Sequence, residues 1–159
     1  MSLEDAYTRY ADDLVRYATA LVDRSAAGDV VADTFADLLR NPEGAWSRAR
    51  HPKAFLFGAV ANRARMYHRQ NDRRRRRERY VIAARRPNPA AIDDDGGVDV
   101  PDGLLDACAD LSVQQRAVTY LTYWHDLSVS DVAESLGVHE GTVRRQLARA
   151  RSRLRGALS

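Results

Sequence analysis

Residues 112–155 read SVQQRAVTYLTYWHDLSVSDVAESLGVHEGTVRRQLARARSRLR, and this stretch decides the fold. Ser112 followed three residues later by Gln115 forms a capping box, in which each side chain satisfies an orphan backbone N–H of the other, so a helix opens at VQQRAVTYLTYW. Ser128 and Asp131 repeat that arrangement ahead of VAESL. Gly137 ends the short helix that follows, because a residue without Cβ enters the left-handed conformation at little steric cost. His139 then caps EGTVRRQLARARSRLRGAL. A short helix, the turn Leu136-Gly137-Val138 and a longer helix make a helix-turn-helix.

In the last helix, Val143, Leu147, Ala150 and Leu154 share one face, which is expected to pack on Val132, Ala133 and Leu136. Glu140, Gly141, Thr142, Arg144 and Arg145 sit off that face at the N-terminal end, where a recognition helix meets base edges in the major groove. Arg149, Arg151, Arg153 and Arg155 lie farther along, suited to phosphates or to covering the bundle surface.

Working outward, the N-terminal half is helical by period. Leu3, Tyr7, Tyr10, Leu14, Tyr17 and Leu21 recur at three- and four-residue spacing. A second helix, with Ser25 as its expected N-cap, turns Val30, Val31, Phe35, Leu38 and Leu39 inward and stops at Asn41-Pro42. After the loop NPEGAWSRARH, Pro52 is a good first-turn residue for a long helix that is apolar first (Phe55, Leu56, Ala59, Val60) and arginine-rich later. These three helices form a bundle ending near residue 85.

Charge is unevenly distributed along the 159 residues, whose formal net charge is +3. Arg63 to Arg86 carries eleven arginines against Asp72 and Glu78. Pro87 to Asp110 carries seven aspartates and no base, and Gly141 to Arg155 six arginines and no acid. Two basic surfaces separated by an acidic stretch suit a polyanion touched at two places, the other reading being solvated charge. RRPNPAAIDDDGGVDVPDG has too little apolar surface to offset its ordering entropy and reads as a tether, followed by a short helix, GLLDACADL.

Catalytic signatures are poor. His51, His68, His125 and His139 lie far apart in the chain, without metal-ligand spacing. Gly96-Gly97 falls among aspartates that would repel phosphate. Asp12-Asp13 and Asp93–Asp95 fit helix-start and tether positions better than carboxylate pairs, and Cys108 reads as a small apolar residue. No cofactor, metal or enzymatic activity is expected. No apolar run approaches the ~18 residues of a membrane span, and MSLEDAYTRYADDL has no secretory h-region, so a cytoplasmic protein is expected. Trp46, beside Arg48, Arg50 and His51, reads equally as a core residue or as a platform for unpaired bases.

Both halves together resemble the extracytoplasmic-function (ECF) sigma factors, small sigma-70-family subunits of bacterial RNA polymerase. GDVVADTFADLLR and HPKAFLFGAVANRARMYHRQNDRRRR resemble region 2, and LGVHEGTV, LARAR and LR lie in a stretch that resembles region 4. The resemblance implies an all-α chain of two small helical domains: a region 2-like bundle over 1–85, a flexible acidic linker over 86–103, and a region 4-like helix-turn-helix over 104–159. It implies an alternative sigma factor whose partners are core RNA polymerase, promoter DNA and an anti-sigma factor. Asp29, Val30, Asp33, Thr34 and Phe35 would touch the polymerase. Trp46, Arg48, Arg50, Asn62, Arg63 and Arg69 would hold the melted −10 element, while His139, Glu140, Thr142, Arg144, Arg145 and Arg149 would read the −35 duplex. Gly28 and Ala32 depart from the acid and amide usual in the clamp-contact helix, and His139 stands where a serine-like cap is common. The alternatives are a stand-alone helix-turn-helix regulator, or a decoy that binds polymerase or an anti-sigma factor without opening DNA.

Overall fold

The structure, a computed structural model, describes residues 1–78 and 111–158. The expected end of the first bundle near residue 85, the acidic linker, the helix GLLDACADL and Cys108 lie outside these residues. Everything regular among the described residues is helical, as the capping and periodicity require.

Helix α1 (Leu3–Leu21) starts at Ser2, whose hydroxyl accepts from the Asp5 N–H, and buries Ala6, Leu14, Tyr17, Ala18 and Leu21. Tyr7, expected inside, is 51% exposed and meets the edge of Phe35 instead. Helix α2 (Arg24–Arg40) begins two residues earlier than expected. Asp23 is its N-cap, while Ser25 lies inside the first turn and donates to the Asp23 carboxylate. Val30, Val31 and Phe35 are core residues as expected, but Leu39 is 62% exposed. Thr34 takes an inward position because its hydroxyl donates to the Val30 carbonyl of the preceding turn at 2.7 Å. That local bond lets a polar residue enter the core without an orphaned group.

A 3₁₀ turn (Ala45–Arg48) leads into α3 (Pro52–Glu78), which buries Leu56, Phe57, Val60, Ala61 and Ala64 against α1 and α2. The C-terminal unit comprises α4 (Val113–Tyr123), α5 (Val129–Leu136) and α6 (Glu140–Leu158). The Ser112–Gln115 capping box is complete in both directions, and Ser128 accepts from the Asp131 N–H. Gly137 adopts φ 66°, ψ 36°, and the next N–H, of Val138, reaches back to the Ala133 carbonyl at 3.0 Å. Val143, Leu147 and Ala150 are buried against α4 and α5, with Val132, Ala133 and Leu136 buried opposite.

The two units do not stand apart. Helix α5 packs along α3, and α4 packs on α1 and α3, so a single apolar core runs through both halves. The rings of Tyr17, Phe57, Tyr120 and His125 cluster at this seam with centroid separations of 4.5–5.4 Å.

Candidate nucleic-acid and polymerase interfaces

The turn at Gly137 aims the first turn of α6 outward. The His139 carbonyl accepts from the Thr142 and Val143 N–H groups, so His139 occupies the cap position. Because Val143 and Leu147 face the core, the positions between them face solvent. His139, Glu140, Arg144, Arg145 and Arg149 are exposed, and Thr142 is half-buried. Arg144 pairs with Glu140 at 3.3 Å, and Arg145 donates to the Thr142 hydroxyl at 3.4 Å. Both partners lie within the same helix, so exchanging them for a base edge disturbs no other element. Arg151 is committed differently: its Nε donates to the Tyr123 hydroxyl at 2.6 Å and its guanidinium lies 5.7 Å from the ring centroid, while Arg153 reaches Gln115. Of the two roles open to these arginines, covering the bundle is the one seen.

The first half sorts its candidate residues less evenly. Arg48, Arg50, Asn62 and Arg69 are exposed. Trp46 is 9% exposed and its ring meets Phe55 edge-on at 5.8 Å, so it is a core residue that props the loop rather than a platform for bases. Arg63 is held by Asp37 of α2, and its side chain is only 24% exposed. On the proposed polymerase face, Asp29 and Asp33 point outward, whereas Val30, Thr34 and Phe35 are 4–5% exposed and belong to the core. Burial turns those three toward the core of the bundle. Gly28 and Ala32 are exposed on α2, and a Cβ at Gly28 would meet nothing within 4 Å. Both departures therefore reshape the outer surface and leave the packing untouched. Leu39, expected to face inward, is an exposed apolar group near the C-terminal end of α2.

Among the described residues, no group of three His, Cys, Asp or Glu side chains is placed to hold a metal ion, and no helix is long and apolar enough to cross a membrane.

Two family models meet this geometry: Sigma-70 region 2 matches residues 6–74, and Sigma-70 region 4 matches residues 102–154. The chain is 34% identical over 144 residues to the ECF RNA polymerase sigma factor SigL of Mycobacterium tuberculosis, covering 89% of this chain and 80% of that relative. The chain belongs to the ECF sigma factors of the sigma-70 family. A shorter match, 42% over 55 residues, links this sigma factor to the RNA polymerase sigma-E factor of Streptomyces antibioticus, covering 35% of this chain and 31% of that one. Its fold is also that of a solved chain from the complex of the sigma factor RpoE with the anti-sigma factor NepR of Bartonella quintana. That match has a TM-score of 0.74 at 24% identity and covers 98% and 95% of the two chains. This ECF sigma factor is thus an alternative sigma factor that directs transcription, a regulatory protein by family; the stand-alone regulator is not favoured.

Proposed function

We propose that this sigma factor docks on core RNA polymerase and holds the opened −10 element with residues 1–85, and reads the −35 duplex with residues 104–159, residues 86–103 joining the two. The observation that carries this division is the helix-turn-helix: Gly137 turns α6 so that His139, Glu140, Thr142, Arg144, Arg145 and Arg149 form one outward surface. Arginine on such a surface grips guanine through two parallel hydrogen bonds. In the first half, Arg48, Arg50, Asn62 and Arg69 form the −10 surface, and Asp29 and Asp33, with the exposed Leu39 farther along α2, form the polymerase surface. Trp46 and Arg63 position the −10 surface from behind.

Supporting this reading, the −35 surface and the −10 surface are both arginine-bearing, while α2 offers carboxylates to a protein partner. The solved relative's complex with an anti-sigma factor supports a similar partner for this chain, which would act in the cytoplasm and carry no catalytic activity of its own. Run-off transcription with purified core polymerase tests the proposal. Initiation from a cognate promoter only when the protein is added is the expected result. Tight duplex binding without any stimulation of the polymerase would overturn it in favour of a stand-alone regulator.

A further inference from the structure

On the outer face of α3, Arg65 stands one turn beyond Asn62, and its guanidinium donates to the Asn62 side-chain oxygen. Arginine carries donors and no acceptor, so only one orientation of the amide fits: the oxygen faces Arg65 and the NH₂ faces away from it. Asn62 is exposed whereas Arg65 is half-buried, which sets the guanidinium behind the amide and leaves the NH₂ toward solvent.

The surroundings hold this arrangement. Ala61 and Ala64 are buried and seat this turn of α3 on the bundle. Arg63 is tied to Asp37 of α2 and does not compete for the amide. Burial raises the pKa of the core Tyr17 hydroxyl and the Arg65 charge opposes that rise, so the guanidinium lies toward the bundle. Met66, one turn from Asn62, is 46% exposed and precedes the exposed Arg69. An apolar side chain at that place gives the flat face of a base something to rest on and gives a phosphate nothing.

The orientation of an asparagine amide decides which bases it accepts. Left free, its oxygen and NH₂ together match adenine, which sets an amino donor beside a ring-nitrogen acceptor. With the oxygen turned to Arg65, the amide presents a donor outward. That donor suits the carbonyl oxygens carried by thymine, cytosine and guanine. Adenine is the one base without a carbonyl oxygen.

We propose that Arg65 is a positioning residue for −10 discrimination: it fixes the Asn62 amide with its NH₂ outward, so that Asn62 takes a carbonyl-bearing unpaired base and rejects adenine. This rests on the sigma-factor reading above, in which Asn62 belongs to the −10 surface. Arg65 acts here through Asn62 and not by touching the base.

Run-off transcription by the protein with core polymerase tests this, on templates already unpaired across the −10 element so that differences in melting drop out. Each −10 position is varied through all four bases. The position that Asn62 reads is the one where Asn62→Ala collapses the spread of yields. There the wild-type yield with adenine should lie at least about fivefold below that with the best carbonyl-bearing base, the lower limit for one good bidentate contact. Arg65→Ala should narrow that ratio to about twofold or less, since the freed amide can turn to match adenine. Arg65→Glu, which offers the amide only acceptors, should turn the oxygen outward and make adenine the best base. Arg65→Lys, again a donor only, should keep the rejection of adenine.

An equal loss on all four bases in Arg65→Ala, the mark of a phosphate contact, would overturn the proposal. So would a wild-type preference for adenine at that position, or base preferences unchanged by Asn62→Ala. Should Arg65→Ala not fold, Arg65→Lys and Arg65→Glu decide the matter, and identical base preferences in the two would overturn it. Failure of the sigma-factor reading is distinguishable, because the wild-type protein would then initiate from none of the templates.

Discussion

Arg145 on α6 and Arg63 on α3 are the same residue type on helices that each carry a basic surface, yet their charges are held differently. Around Arg145 the partners are local: Thr142 is one turn away, and neighbouring Arg144 pairs with Glu140 while its side chain stays 65% exposed. Arg63 is held by Asp37, a residue of another helix, and only 24% of its side chain is exposed. An exposed pair within one helix is worth a few tenths of a kcal/mol, so a phosphate or base edge displaces it readily. A half-buried pair that also staples two helices is harder to recruit. Basic sequence therefore marks where a nucleic-acid surface lies, and the partner in space decides which of its cations are available.

The largest expected effect separates packing from surface. Leu121 is fully buried in α4 and Leu39 is 62% exposed on α2, although both occupy apolar positions of a helical repeat. Leu121→Ala should destabilise the protein by about 2–5 kcal/mol through lost transfer energy and a cavity. Leu39→Ala should stay within about 0.5 kcal/mol in thermal unfolding while weakening association with core polymerase. A large loss of stability from Leu39→Ala would place that side chain back in the core.

Next in size, Arg145→Ala should cost about 1–3 kcal/mol of discrimination at one −35 position, read by competition between cognate and substituted duplexes, with polymerase association unchanged. Arg151→Ala should leave discrimination intact and instead loosen α6 from α4, since that guanidinium is engaged with Tyr123. If the two variants lose specificity equally, the recognition surface extends farther down α6 than the first turns.

How much of this was legible follows from where each signal resides. The second half was readable because its signals are local: Ser112 and Gln115 cap each other, Ser128 caps α5, and Gly137 is the residue a left-handed turn selects. The same device at the end of α4 escaped notice, because there Asp126 takes φ 51° and Leu127 reaches back to the Leu121 carbonyl without a glycine to announce it. Asp23 outcompeted Ser25 as the cap of α2 for a similar reason, since nearby polar residues offer equivalent caps two positions apart. Whether Trp46, Thr34 and Arg63 face inward or outward was not legible, because their positions depend on Phe55, on the core of α2 and on Asp37. The seam carried no sequence signal beyond Gly58, whose single hydrogen makes room for a backbone 77 residues away.

A smaller effect sharpens the contrast between the two arginine surfaces. Asp37→Ala should release Arg63 and cost at most about 1 kcal/mol of stability, because the pair is partly solvated. The freed guanidinium should then take up a phosphate. The slope of log affinity against log salt for single-stranded −10 DNA, measured with the polymerase complex, should steepen by up to about 0.7. An unchanged slope would mean that Arg63 already reaches the strand in the complex and that Asp37 gives it up on binding.

The subtlest effect is one of pH, and it acts at the seam. His125 is held below the usual histidine range, first by burial and then by the Lys53 charge, with Asp13 and Asp126 pulling the other way. His51 and Asp131 line the same small cavity, and Tyr120 and Phe57 cover the ring. In the closed state the imidazole is therefore neutral at a pH where the freed side chain is already charged. Above the ordinary histidine pKa, about 6.5, both forms are neutral and closure is at full strength. As the pH falls below that value the open form takes up the proton first, so closure weakens until the depressed pKa is passed. His125→Phe keeps a ring against Phe57 and Tyr120 but removes the proton. Its inter-unit distance, followed by energy transfer between dyes on α2 and α6, should stay constant from pH 8 to pH 5, whereas the wild-type distance should lengthen. An identical lengthening in His125→Phe would mean that the acid response does not arise at this imidazole.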